Sequence, residues 1–153
     1  MKSYNRVVFV CNDNTCRSIM AEGVMNKVKG NRKIEVASRG IVVLFPEPIN
    51  PKATAVMASG STKPAHMTSV QLSKADFLPG TLVLTMTTRE KEMVKERFPK
   101  WEDIYSIGEY AEHLSEIAQP RGNQLTDYGA CYEHIDLMVK LAAEKLFAAL
   151  EQE

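Results

Sequence analysis

No stretch of the sequence approaches the roughly 20 consecutive apolar residues that a membrane-spanning helix needs, and Met1 to Arg6 lacks the apolar segment of a signal peptide. The expectation is a cytoplasmic protein with no membrane partner. Charge of one sign is missing too, because 19 basic and 19 acidic side chains cancel. Without a basic field, no nucleic-acid partner is expected, and a ligand is met at one local site. Cysteine is scarce: three residues, two of them in one loop, do not make a secreted disulfide framework. The histidines His66, His113 and His134 are far apart with no ligand-like spacing, so no metal and no cofactor is expected.

What is present suits one domain spanning residues 1–153, with 44% hydrophobic and 25% charged residues. Its organising stretch is Val7 to Ser18, VVFVCNDNTCRS. The apolar run Val7 to Val10 reads as a strand that delivers Cys11 to a polar loop, and Arg17-Ser18 opens a helical pattern through Val28. A loop of this length can curl until a thiolate at its base and a guanidinium at its rim address one tetrahedral anion. Loop amides and the free N–H groups of the helix N-terminus supply the remaining donors. The same positive field is expected to lower the pKa of Cys11 and make it a nucleophile. The bland reading of a lone cysteine after a buried strand is a small core residue.

Cys11, Asn14, Cys16, Arg17 and Ser18 resemble the signature of the low-molecular-weight protein phosphatases, with Asp13 where that family has glycine and Ile19 where it has proline. The resemblance implies that Cys11 and Arg17 are catalytic and that Asn12, Asp13, Asn14, Thr15, Cys16, Arg17 and Ser18 bind phosphate. It also implies Cys16 as the redox partner of Cys11, against the alternative of a buried helix-start residue. Asp13 is expected to tolerate the backbone angles of the glycine it replaces and to point outward, since an inward carboxylate would repel phosphate and raise the pKa of Cys11. Thr15 resembles the threonine of bacterial protein-arginine phosphatases, where phosphotyrosine enzymes usually carry an aliphatic residue.

Met20, Val24 and Val28 mark an amphipathic helix with Glu22, Asn26 and Lys29 off its apolar face. Further elements are a strand at Ile34 to Ser38, a helix from Pro51 capped by Asn50 to about Ser59, and a short helix within His66 to Asp76. A buried strand Thr81 to Met86 follows, then a helix opened by the capping box Thr87-x-x-Glu90 and closed by Pro99, and a strand at Asp103 to Ile107. Glu112 to Ala130 reads as loop, before a long helix with Ile135, Val139, Ala142, Leu146 and Leu150 on one face. This alternation predicts an α/β fold, a four-stranded parallel sheet with helices on both faces, as in the flavodoxin-like fold of the phosphatase family.

The family's general acid is the aspartate of an Asp-Pro-aromatic motif. Here Thr126-Asp127-Tyr128 has no proline, so Asp127 is the acid, or it fills the proline's place with Thr126 at the acid's. A helix-capping or loop aspartate is the other reading. Tyr128, with Tyr132 near it, and Phe45 are candidates for the substrate wall, against ordinary packed side chains. The expected function is hydrolysis of a phosphorylated protein or small phosphomonoester, on phosphotyrosine or phosphoarginine, through a phosphocysteine. The alternatives are a phosphate-binding relative that has lost catalysis and a thiol arsenate reductase, the latter opposed by the absence of cysteines between Cys16 and Cys131.

Overall fold

The structure, a computed structural model, describes residues 1–152. Strand β1 (Arg6–Cys11) is the centre of the sheet, paired in parallel with β2 (Glu35–Gly40) on one side and β3 (Thr81–Thr85) on the other. β4 (Ile104–Ser106) joins β3, giving the order β2-β1-β3-β4. The period of two along β1 explains the layers. Val7, Phe9 and Cys11 face a core shared with α1 (Arg17–Val28), α2 (Pro51–Ser59) and α5 (Leu125–Glu151). Val8 and Val10 face the opposite core, which α3 (Thr88–Arg97) covers through Val94, with Phe77, Phe98 and Trp101 packed at its margin. Helices therefore lie on both faces, as expected. Among the described residues, no helix is long and apolar enough to cross a membrane.

The chain order reverses between β2-β1 and β1-β3, so the carboxyl end of β1 opens at a topological switch point, the ordinary ligand position of such sheets. Gly40 ends β2 directly beside it. A Cβ at this position would lie 2.6 Å from a Val43 methyl and 2.9 Å from the carbonyl carbon of Asp13, so only glycine lets the two segments pack.

Four expectations need correction. Residues Arg17 through Met25 of α1 are all buried, including Glu22, so the helix is not amphipathic over this stretch; Glu22 instead meets internal polar partners. Residues 66–76 hold only a 3₁₀ turn, Lys74–Asp76, because the chain before it runs extended beside Gly40, with Gly40 N–H donating to Val70 O and Leu72 N–H to Gly40 O. A one-turn helix, α4 (Ile107–Tyr110), follows β4 directly. Finally, α5 begins at Leu125, inside the stretch read as loop, because its first turn is exposed or half-buried and has no apolar period to reveal it.

Candidate active site

Cys11 ends β1 fully buried, with its Sγ 3.0 Å from Ser18 Oγ. The loop that follows is organised by Asn14, the one loop residue with left-handed backbone (φ 58°). Asparagine is among the few side chains that adopt this region readily. Here its amide is used three times: Nδ2 donates to Ser18 Oγ (2.7 Å) and Ser38 Oγ (3.0 Å), and Oδ1 accepts from Val70 N–H (2.9 Å). Ser38 in turn donates to Glu22 Oε1 at 2.6 Å, and His66 Nε2 lies 3.1 Å from Ser38 Oγ and 3.4 Å from Glu22. The hydrogen bond to Glu22 raises the pKa of His66, with burial opposing. A buried polar chain thus runs from His66 to the thiol.

Arg17 is buried and held end-on. Nη1 donates to Glu90 Oε1 (3.0 Å) and Ile117 O (2.8 Å), and Nη2 donates to Glu90 Oε2 (2.8 Å). Nε is buried without a partner. What remains is one edge of the guanidinium, Nε–H beside the second Nη2–H, the two-pronged arrangement that matches a phosphate or carboxylate. Among the described residues, no protein acceptor takes the amides of Asp13, Asn14 or Cys16. The site therefore has an unused guanidinium edge and unused amides around one thiol.

The sequence model of the family described as low molecular weight phosphotyrosine protein phosphatase matches residues 6–153. The chain belongs to this family. A protein-arginine-phosphatase of Geobacillus stearothermophilus is 32% identical over 143 residues, covering 92% of this chain and 95% of that one. The low molecular weight protein-tyrosine-phosphatase PtpB of Staphylococcus aureus is 29% identical over 141 residues, covering 89% and 96%. The solved YwlE arginine phosphatase from Geobacillus stearothermophilus superposes with a TM-score of 0.88 at 31% identity, over 98% of this chain and 97% of that one.

Within this low-molecular-weight phosphatase, two expectations about the loop are reversed. The pKa of Cys11 is raised, because burial outweighs the pull of Arg17 and the hydrogen bonds from Ser18; Asp13 adds to the rise. Asp13 does not carry the unusual backbone, which lies at Asn14, and its carboxylate stays on the loop: Oδ1 accepts from Thr15 N–H at 3.1 Å. Asn12 is exposed, and its carbonyl accepts from Val42 N–H at 3.0 Å. Cys16 is a buried residue at the start of α1, and Cys11, Cys16 and Cys131 are all free thiols.

The segment expected to carry the general acid is less tightly built. Asp127 lies in the first turn of α5, half-buried, with Oδ2 accepting from Gln124 N–H at 3.0 Å. Tyr128 is half-buried beside α2, its hydroxyl accepting from Asn50 Nδ2 at 3.0 Å and its ring 5.8 Å from Lys52 Nζ. Tyr132 is buried and bonded to Thr62. Phe45 is 77% exposed rather than packed, on a loop tied to Cys11 and Asn12 through the amides of Ile41 and Val42. Sequence reading missed Glu90, Glu22, Ser38 and His66 as parts of the site.

Proposed function

We propose that this chain is a cysteine-dependent protein phosphatase acting on phosphotyrosine or phosphoarginine. In this reading the Cys11 thiol gives its proton to an oxygen of the bound phosphoryl group and attacks phosphorus as the thiolate, the S–P bond forming as the bond to the leaving group breaks. The free edge of Arg17 and the amides of Asp13, Asn14 and Cys16 hold the non-bridging oxygens, and Ser18 donates to the sulfur. Asp127 gives its proton to the leaving atom, then takes one from the water that cleaves the phosphocysteine. The observation that carries the proposal is the buried guanidinium edge of Arg17 without a partner, because an orphaned buried donor is costly unless a ligand uses it. Thr15, half-buried on the loop, favours phosphoarginine of the two substrates.

The test is hydrolysis of para-nitrophenyl phosphate by the wild type and by Cys11→Ser under reducing conditions. The nitrophenolate leaves with little help from an acid, so the assay reads the loop alone. Turnover lost in the serine variant is the expected result. No turnover by folded wild-type protein, or turnover that survives in Cys11→Ser, sinks the proposal.

A further inference from the structure

The charges at the phosphate loop do not add up as a site for a plain dianion should. Arg17 is already paired with Glu90 at 2.8 Å, both side chains being buried. Asp13 then adds a carboxylate close enough to Cys11 to oppose its ionisation. Arg17, Glu90 and Asp13 together leave the loop with an excess of negative charge, and no other lysine or arginine occurs between Asn12 and Ser18. An aryl phosphate brings only further negative charge to this point.

A phosphoryl group carried on a guanidinium brings a positive charge with it. Two acceptors on the loop are unmatched: Asp13 engages Thr15 N–H through Oδ1 alone, and among the described residues neither Asp13 Oδ2 nor the Thr15 hydroxyl has a hydrogen-bond partner. Both residues are half-buried. A planar guanidinium donates along an edge, which suits a carboxylate oxygen and a hydroxyl two residues apart. We infer that Asp13 is a specificity-determining residue: its carboxylate weakens the loop for aryl phosphates and favours N-phosphorylated guanidinium substrates, whose cationic group it receives. This rests on the phosphatase reading above.

Two variants separate the possibilities. Asp13→Asn keeps an acceptor for Thr15 N–H and removes the charge, while Asp13→Gly removes the side chain. Each is assayed against two peptides of the same flanking sequence, one with phosphoarginine and one with phosphotyrosine. In parallel, protection of Cys11 from iodoacetamide by inorganic phosphate, read from the mass of the Cys11 peptide, measures loop affinity without turnover. The wild type is expected to favour phosphoarginine, and both variants to lower the ratio of the two kcat/KM values by about tenfold or more. The variants should also be protected by about tenfold less phosphate.

A ratio that moves by less than about threefold in both variants overturns the inference while leaving the phosphatase standing. If the wild type turns over neither peptide and phosphate does not protect Cys11, the phosphatase reading itself falls. If phosphate protects without turnover, unchanged protection in the variants overturns the role of Asp13.

Discussion

From Cys11 to Ser18 most side chains are buried; Asn14 and Arg17 are bonded to partners in other parts of the chain, and Ser18 ties Asn14 to Cys11. From Gln119 to Thr126 the chain is largely exposed, and the hydrogen bond that fixes Asp127 reaches only to Gln124. The phosphate loop is built as a piece of core, the segment proposed to face the leaving group as a piece of surface. The contrast suits the chemistry each must perform. An anion cradle needs donors fixed before the charge arrives, whereas a group that transfers a proton to varied leaving groups needs room to approach them.

The largest effect should come from removing the thiol. Cys11→Ser is expected to lower kcat/KM for para-nitrophenyl phosphate by on the order of a thousandfold, with the thermal midpoint almost unchanged because volume and the contact with Ser18 are nearly kept. A midpoint that drops sharply would place Cys11 in the core rather than in the chemistry. Next is Glu90→Ala, which leaves Arg17 buried and unpaired. It should cost about 3–5 kcal/mol in urea unfolding and about a hundredfold in activity. Activity and stability both kept would mean that Ile117 O alone can seat Arg17.

Asp127→Asn should show the opposite balance. Its removal costs under about 1 kcal/mol, as for an exposed helix cap. Turnover of phenyl phosphate, a poor leaving group, should nonetheless fall by about a hundredfold, while para-nitrophenyl phosphate falls much less. Equal losses on both substrates would leave Asp127 a capping residue and no more.

The last effect is alkaline and grows with each pH unit. Burial raises Cys11 and Cys16 above the ordinary thiol value of 9.0 and pushes Cys131 up to about 11. Above pH 9 the unfolded chain releases thiol protons that the folded chain keeps, so stability falls as pH rises. The slope should approach roughly 1 kcal/mol per pH unit for each thiol. Urea midpoints that hold steady from pH 8 to about 11 would show that these thiols ionise as freely in the fold as outside it.

The sheet was legible because its strands announce themselves: Val7 to Val10 and Thr81 to Met86 are apolar runs bounded by polar turns, and both are buried as read. Cys11, Arg17 and Ser18 were legible because one short stretch of eight residues holds all three. Glu90 was not, although its spacing from Thr87 was read correctly. Thr87 Oγ1 does accept from Glu90 N–H at 3.1 Å, but the Glu90 carboxylate turns to Arg17 instead of closing a capping box. One explanation for a residue hid another. His66 and Glu22 were hidden by distance along the chain, since a histidine off any motif and a glutamate on a helix read as surface until the fold joins them. The start of α5 was hidden because LTDYGA carries no apolar stripe.

Gly40 sets a rule for anyone who would move this loop into another protein. The Cys11–Ser18 segment rests against the end of β2 at a spacing that no side chain fits, so β1, its loop and α1 do not form a portable cassette. A graft that copies Val7 to Val28 onto a different α/β scaffold must also import a glycine at the neighbouring strand's last position. Without it the recipient's own Cβ pushes on Asp13, and the loop re-forms in a shape its amides cannot use.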